Sequence, residues 1–563
     1  MKKNYPLYET TVFRDFRVMT ENVAAKYPDR PAVSFKRDPK DREWVTLTYT
    51  DAKNDQRDLG TALLDAGVTD ARVAIIGGAS YEWMLSYYAL MSVGAITVPI
   101  DKELPAADMA GIIQSAGCTF AFVADDCLAK MKEGIGDYPI HVFSLSADNE
   151  SEDGFRALVR RGHALYEGGD NRYYDYEIDP DRLASIVFTS GTTGKGKGVM
   201  LTITNICSDM TQGMYNFAIT PRTMCVLPPH HTFCSTVNFV GHFAQGSQIC
   251  FSSGLRYLLG ELKEVQPTHL ILVPLFVETF YKRIWATAEK EGKDKLLRRM
   301  MKISRHLPVA LRRRLFAKSV LAAFGGKLEM IICGGAALNQ DIIDTFDAIG
   351  LTILNGYGIT ECAPLISCNR NLYQKSGSVG TPIIGEEIRI HEPDANGEGE
   401  ICVKGPNVMM GYYNNPEATD EVFDKDGWFH TGDYGRLDEE GWIYITGRLK
   451  NLIIFSNGKN VYPEEIECEI SRVRGVSEVI VYAGQSKSRP EAEIIVAEIF
   501  PDMEVLEGDG VTDLQKYFED EIKKINARSV SYKAVGKVKL RSEEFKKNTS
   551  RKIIRFAIDK TID

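Results

Sequence analysis

Short apolar runs recur through the first two thirds of the chain, separated by stretches whose apolar positions repeat with helical spacing. The runs at 73–76, 120–123, 185–188, 270–273, 330–333 and 352–354 are almost wholly apolar. Runs this short and unbroken read as strands buried on both faces. Several end in Gly, Ser, Thr or Pro just before a helical pattern opens. That order predicts βαβ units, a mostly parallel sheet, and ligand loops at the strand ends. After about residue 380 the pattern becomes alternating. Segments 387–390, 399–403 and 442–445 switch between apolar and polar positions, with Gly-rich turns between them, which predicts an antiparallel β unit. Beyond Arg448 come a helical pattern over 463–473, apolar runs at 479–482 and 494–496, and a second helical pattern over 512–527. The expected organisation is an α/β chain with a large domain over 1–449 and a small C-terminal α+β domain over 450–563, a normal domain size.

Composition narrows the class. The 563 residues are 44% apolar and 26% charged, as in ordinary globular proteins. The net charge of −10 argues against a general nucleic-acid binder. The most apolar stretch, 88–100, is short and holds Gly94 and Pro99, so no spanning helix is expected. The start, MKKNYPLYET, lacks the apolar run of a signal peptide. Eleven scattered cysteines form no C-x-x-C pair, so buried, reduced thiols in a cytoplasmic protein are expected.

The densest chemical signal is Thr189-Ser-Gly-Thr-Thr-Gly-Lys-Gly-Lys-Gly198, directly after an apolar run. Glycines allow several backbone N–H groups to converge on phosphate oxygens. The hydroxyls of Thr189, Ser190, Thr192 and Thr193 add donors, and Lys195 and Lys197 add charge. Gly191 to Lys197 spaces as G-x-x-x-x-G-K, but a Walker loop needs Ser or Thr next, and Gly198 stands there.

This loop closely resembles the T-S-G-T-T-G-x-P-K-G loop of the adenylate-forming superfamily, which unites acyl-CoA synthetases, adenylation domains and luciferases. Its further motifs follow in order: His230-His231-Thr-Phe233, Gly334-Gly-Ala-Ala-Leu338, Asn355-Gly-Tyr-Gly-Ile-Thr-Glu361, Gly427-Trp-Phe-His-Thr-Gly-Asp433, Gly447-Arg-Leu-Lys-Asn451 and Ser550-Arg-Lys-Ile-Ile-Arg555. The resemblance implies a large domain of two βαβ subdomains plus a distorted β-barrel, capped by a small mobile domain. It also implies two half-reactions. A carboxylate attacks the α-phosphate of Mg·ATP, giving acyl-AMP and pyrophosphate; a thiol, that of CoA, then displaces AMP.

The same resemblance distributes roles. Thr189, Ser190, Gly191, Thr192, Thr193, Gly194 and Lys197 hold phosphate. Gly335, Ala336, Asn355, Gly356, Tyr357 and Gly358 bind the nucleotide, with the Tyr357 ring as stacking face for adenine; the apolar run at 351–354 and a tight turn expected at Gly356-Tyr357-Gly358 favour a ligand loop there. Thr360 donates to phosphate, and Glu361 with Thr189 offers oxygen ligands to Mg²⁺. Asp433 and Arg448 suit the ribose hydroxyls; the alternative reading is an interdomain Asp–Arg salt bridge. Lys450 is the expected hinge, and Lys552 the lysine that stabilises α-phosphate charge during attack. His231 aligns with a histidine near the acyl pocket, though its neighbour His230 leaves the register open. Three departures from the family pattern are Gly196 and Ala337, each for Pro, and Arg551 for Gly.

Amino-acid-activating members carry Asp after the residue matching Phe233; here that position is Cys234. With no anion to pair an ammonium, and with Phe233, Val237 and Gly241 around it, an apolar acyl pocket is expected. Segment 293–318 holds ten basic residues against one acidic one, Asp294, interleaved with Leu and Met. It reads either as a solvated helical insertion or as peripheral contact with anionic lipid, where a fatty acid partitions. Such a connection resembles the long-chain fatty acyl-CoA synthetases in particular. The expected activity is a fatty-acid–CoA ligase using ATP, Mg²⁺ and CoA. Alternatives are another carboxylic acid, an acyl carrier protein as acceptor, or a nucleotide-binding sensor.

Overall fold

The computed structural model describes residues 5–189, 196–455, 460–485, 494–547 and 553–562. The chain forms two compact units. The first holds 1–388, 403–429 and 439–443; the second holds 389–402, 430–438 and 444–563.

Two sheets organise the first unit. In one of seven strands the order is Gly411–Tyr412, Lys197–Thr202, Leu183–Thr189, Ile96–Ile100, Arg72–Ile76, Phe120–Val123, His141–Ser144. The last five are mutually parallel, and the apolar runs at 73–76, 120–123 and 185–188 lie within them. The helix Tyr81–Ser92 is buried along its whole length, as its nearly continuous apolar sequence requires. Ser80 starts it by accepting a hydrogen bond from the Trp83 amide at 3.1 Å.

The second sheet has nine strands. Its centre, through Thr352–Gly358, Met330–Cys333, His269–Leu272, Arg222–Cys225, Gln248–Phe251 and Pro31–Phe35, is parallel. Leu365–Cys368 and Thr381–Pro382 close one edge antiparallel, and Val45–Thr48 closes the other. Beneath this sheet Leu270, Leu272, Ile331, Phe346 and Phe316 form one apolar cluster.

The basic segment folds as two helices, Asp294–Ser304 and Val309–Phe316. Met301 and Phe316 point into the core, while Leu296, Ile303, Leu311 and Leu315 stay exposed. Arg312 and Arg313 are not solvated cations. Arg312 bonds Asp347 and the Leu307 carbonyl, and Arg313 bonds the Gly350 and Glu329 carbonyls. Among the described residues no helix is long and apolar enough to cross a membrane.

The second unit holds most of a four-stranded sheet ordered Glu387–His391, Gly399–Lys404, Phe429–Leu437, Ile443–Arg448. It also contains the three-stranded sheet Val476–Gly484, Ile494–Pro501, Val535–Leu540. The helices Pro463–Ile470 and Leu514–Asn526 share a core with that sheet through Ile466, Ile470, Phe518 and Ile522. These match the patterns read at 463–473 and 512–527.

Candidate functional site

The glycine-rich segment lies in a hairpin. Leu183–Thr189 and Lys197–Thr202 pair antiparallel, with Thr189 opposite Lys197. A Walker loop runs from strand into helix, so this topology separates the two. Ser190, Gly191, Thr192, Thr193, Gly194 and Lys195 fall outside the described residues, as does Lys552. At the hairpin base, the Thr189 hydroxyl donates to the Lys197 carbonyl at 3.3 Å. Gly196 approaches the same backbone closely, since a Cβ on it would meet the Thr189 carbonyl at 2.7 Å.

Thr202 ends the hairpin and caps the helix Ile203–Asn216 in a reciprocal box with Asn205. The Asn205 amide then donates to the carbonyls of Pro406 and Val408 at 2.7 and 3.0 Å. One turn on, buried Asp209 accepts from the Leu365 amide at 2.8 Å. Burial pushes its carboxyl well above the usual range, opposed by bonds from Asn407 and Leu365. One helix thus fixes both the 406–408 segment and the strand after Pro364.

That fixing delivers Tyr412 to the site. Gly411 and Tyr412 pair with Met200 and Val199 of the hairpin. The Tyr412 hydroxyl donates to Glu361 Oε1 at 2.9 Å, and the Lys197 ammonium lies 4.5 Å from the Tyr412 ring centroid. Burial first, and then Glu361, raise the Tyr412 phenol. Sequence reading picked out Lys197 and Glu361 and overlooked Tyr412; Gly411-Tyr-Tyr413 carries no motif-level chemistry of its own. Its signal is positional, in a two-residue strand whose partners, Met200 and Val199, lie far upstream in the chain.

A tight turn was expected at Gly356-Tyr357-Gly358. Instead these residues finish the strand, with Gly356 opposite Cys368 and Tyr357 opposite Ser367. The returning strand satisfies their backbone groups, so the chain turns only after Gly358. Gly358 is required there, because a Cβ would meet the Pro364 carbonyl at 2.0 Å. Thr360 and Glu361 form a short 3-10 turn, and Tyr357 is mostly buried, at 7% exposure. On the neighbouring strand Cys333 pairs with Asn355. Gly335, at φ +87°, and exposed Ala336 therefore follow the strand end beside Asn355. Loops at adjacent parallel strand ends make the usual ligand crevice of such sheets.

Phe233, Cys234, Val237 and Gly241 share one π-helix, Phe233–Gly241, a form common at functional sites. The Phe233 ring lies 3.3 Å from where a Gly334 Cβ would stand. Cys234 is fully buried, and its thiol lies 3.3 Å from the Leu227 carbonyl and 3.6 Å from Cys225 Sγ. Burial raises that thiol well above its ordinary value. Gly241 packs against Met210 and Met214. The carbonyl of His231 starts the π-helix by accepting from the Cys234 and Ser235 amides. His230 faces Asp101 at 3.5 Å, and burial lowers its pKa against that carboxylate.

In the second unit Arg448 Nε donates to Asp433 Oδ1 at 2.7 Å, with side-chain exposures of 41% and 4%. The Thr431 hydroxyl accepts from the Asp433 amide at 3.0 Å and donates to the Ile401 carbonyl at 2.7 Å. Lys450 is exposed in the 3-10 turn Leu449–Asn451.

The glycine-rich hairpin beside Glu361 and the loops at parallel strand ends are the frame of an α/β enzyme. The family profile described as AMP-binding enzyme matches residues 20–413, and the chain belongs to that family, the adenylate-forming enzymes. It is 30% identical to long-chain-fatty-acid–CoA ligase FadD15 of Mycobacterium bovis, over 83% of this chain and 79% of that one. It is 29% identical to the chloroplastic long-chain-fatty-acid–[acyl-carrier-protein] ligase AEE15 of Arabidopsis thaliana, over 84% and 75%. Its fold is similar to that of ATP-bound MatB from Rhodopseudomonas palustris. The TM-score is 0.74 at 23% identity, with 96% of this chain and 97% of that one covered.

Proposed function

We propose that the protein joins a long-chain fatty acid to CoA through an acyl-adenylate, consuming ATP and releasing AMP and pyrophosphate. The observation that carries the substrate assignment is Cys234. It is a neutral, fully buried side chain on the π-helix Phe233–Gly241, and it offers an ammonium no anion. The likeness to long-chain ligases supports the same reading.

In this reading Glu361, held by Tyr412, and Thr189 offer the oxygen donors that a hard cation prefers, and they would hold Mg²⁺. That ion would neutralise phosphate charge. Lys197, Thr360, and outside the described residues Ser190, Gly191, Thr192, Thr193, Gly194 and Lys552, would bind the triphosphate. Tyr357, Asn355, Gly356, Gly358, Gly335 and Ala336 would take the adenine, and Asp433 with Arg448 the ribose. His231 would orient the carboxylate at the mouth of a pocket built from Phe233, Cys234, Val237 and Gly241. Residues 450–563 would turn as a lid about Lys450 between the half-reactions.

The test is pyrophosphate release across acids from acetate to oleate, with CoA as acceptor. Rates peaking at long-chain acids are expected; activity confined to benzoates or amino acids would overturn the assignment. Running the same assay with acyl carrier protein decides the acceptor.

A second reading concerns the membrane. Exposed Leu296, Ile303, Leu311 and Leu315 stand among the exposed cations Lys295, Arg299, Lys302 and Arg314, the composition of an interfacial helix pair. Co-sedimentation with anionic vesicles should weaken in high salt and in Lys295→Glu/Arg299→Glu/Lys302→Glu. Binding indifferent to both would sink it.

A further inference from the structure

Glu400, Cys402 and His430 bring one carboxylate, one thiol and one imidazole together on adjacent strands of the four-stranded sheet. Glu400 and Cys402 are two apart on Gly399–Lys404, so both point to the same face. His430 lies on the neighbouring strand, Phe429–Leu437. All three ligand atoms lie within 4.8 Å of one another. His430 Nδ1 is the focus, 2.7 Å from Glu400 Oε2 and 3.5 Å from Cys402 Sγ.

We propose that Glu400, Cys402 and His430 form a binding site for a thiophilic divalent cation of the zinc class. Around a tetrahedral zinc, neighbouring ligand atoms stand roughly 3.2–3.7 Å apart. The sulfur–nitrogen distance already has that value. The oxygen–nitrogen pair needs to open by roughly half an ångström, as a metal replaces the hydrogen shared between them. Thiolate and carboxylate together balance the +2 charge. Sulfur and imidazole ligands select against Mg²⁺ and Ca²⁺, which take oxygen.

The surroundings suit such a site. The second carboxylate oxygen, Glu400 Oε1, accepts from the Gly432 amide at 3.0 Å, which fixes the carboxylate plane. Cys402 is fully buried, while His430 and Glu400 are 19% and 16% exposed, so an ion can reach the site from the carboxylate side. The His391 ring stands edge-on to His430, centroids 5.0 Å apart, and three protein ligands leave a fourth position that water would fill. Binding releases the Cys402 thiol proton to solvent and leaves the imidazole proton on Nε2, with Nδ1 on the metal. An occupied site ties the two strands together three residues before Asp433.

Cobalt(II) tests this, because a thiolate ligand gives a near-ultraviolet charge-transfer band. Titrating the full chain with cobalt(II) should give that band at one equivalent, and zinc(II) should abolish it. Cys402→Ser should lose the band, and Glu400→Gln or His430→Ala should weaken binding roughly tenfold or more. Circular dichroism checks that each variant is folded. No band in the parent protein, or a band that survives Cys402→Ser, would overturn the proposal. Should Cys402→Ser fail to fold, Glu400→Gln and His430→Ala locate the band, and binding unchanged in both overturns the proposal.

Discussion

The hydroxyl of Tyr412 donates a 2.9 Å hydrogen bond to Oε1 of Glu361, across 51 residues of sequence. The bond aims the carboxylate and holds Tyr412 over the hairpin base, where Lys197 meets the ring. A hydrogen bond to a charged acceptor contributes about 1.5–3 kcal/mol. Tyr412→Phe should therefore lower kcat/KM for Mg·ATP roughly 10- to 100-fold, and added Mg²⁺ should recover part of the loss. Pyrophosphate release at graded Mg²⁺ measures this. A loss indifferent to Mg²⁺ would mean that Tyr412 acts on packing alone.

Asp433 and Arg448 are joined at 2.7 Å, which fits both a plain ion pair and a ribose site; one variant separates the two. With Arg448 at 41% exposure the pair is partly screened, and such pairs contribute up to about 1 kcal/mol to stability. Asp433→Asn should then shift the melting temperature little but raise KM for ATP roughly tenfold or more. A lowered melting temperature with unchanged KM would assign the pair to structure only.

Lys552 carries the strongest chemical expectation of the C-terminal unit. Lys552→Ala should abolish most acyl-adenylate formation while leaving ATP binding near its original strength, since a charge that acts on the transition state matters less to the ground state. Single-turnover adenylate formation beside nucleotide titration distinguishes the two. Unchanged adenylate formation would remove Lys552 from the mechanism.

Much of the architecture was legible because buried parallel strands leave unbroken apolar runs. All six runs read from the sequence lie within strands, apart from Val273, which caps the following helix. What escaped were features set by partners distant in sequence. Gly356 and Tyr357 looked like a turn because glycine permits one; only the returning Leu365–Cys368 strand makes them extended. Tyr412 gained its role from pairing with Val199. In the basic segment, local charge did not reveal that Arg312 and Arg313 would be occupied by carbonyls and by Asp347.

Glu386 gives the protein a pH-dependent stability. It is only 9% exposed, and neither carboxylate oxygen has a hydrogen-bond partner among the described residues. Burial raises its pKa from 4.5 to about 8. The folded state therefore holds this proton up to about pH 8, whereas the unfolded chain loses it near 4.5. Between those values the folded state binds more protons, so this group's contribution is greatest below pH 4.5 and falls as pH rises. The slope is about 1.4 kcal/mol per pH unit, and it levels off above pH 8. Glu386→Gln keeps the shape and stays neutral. Its melting temperature should match the parent's near pH 5 and exceed it increasingly up to pH 8. Parallel melting curves across that range would show that Glu386 is ionised in the fold.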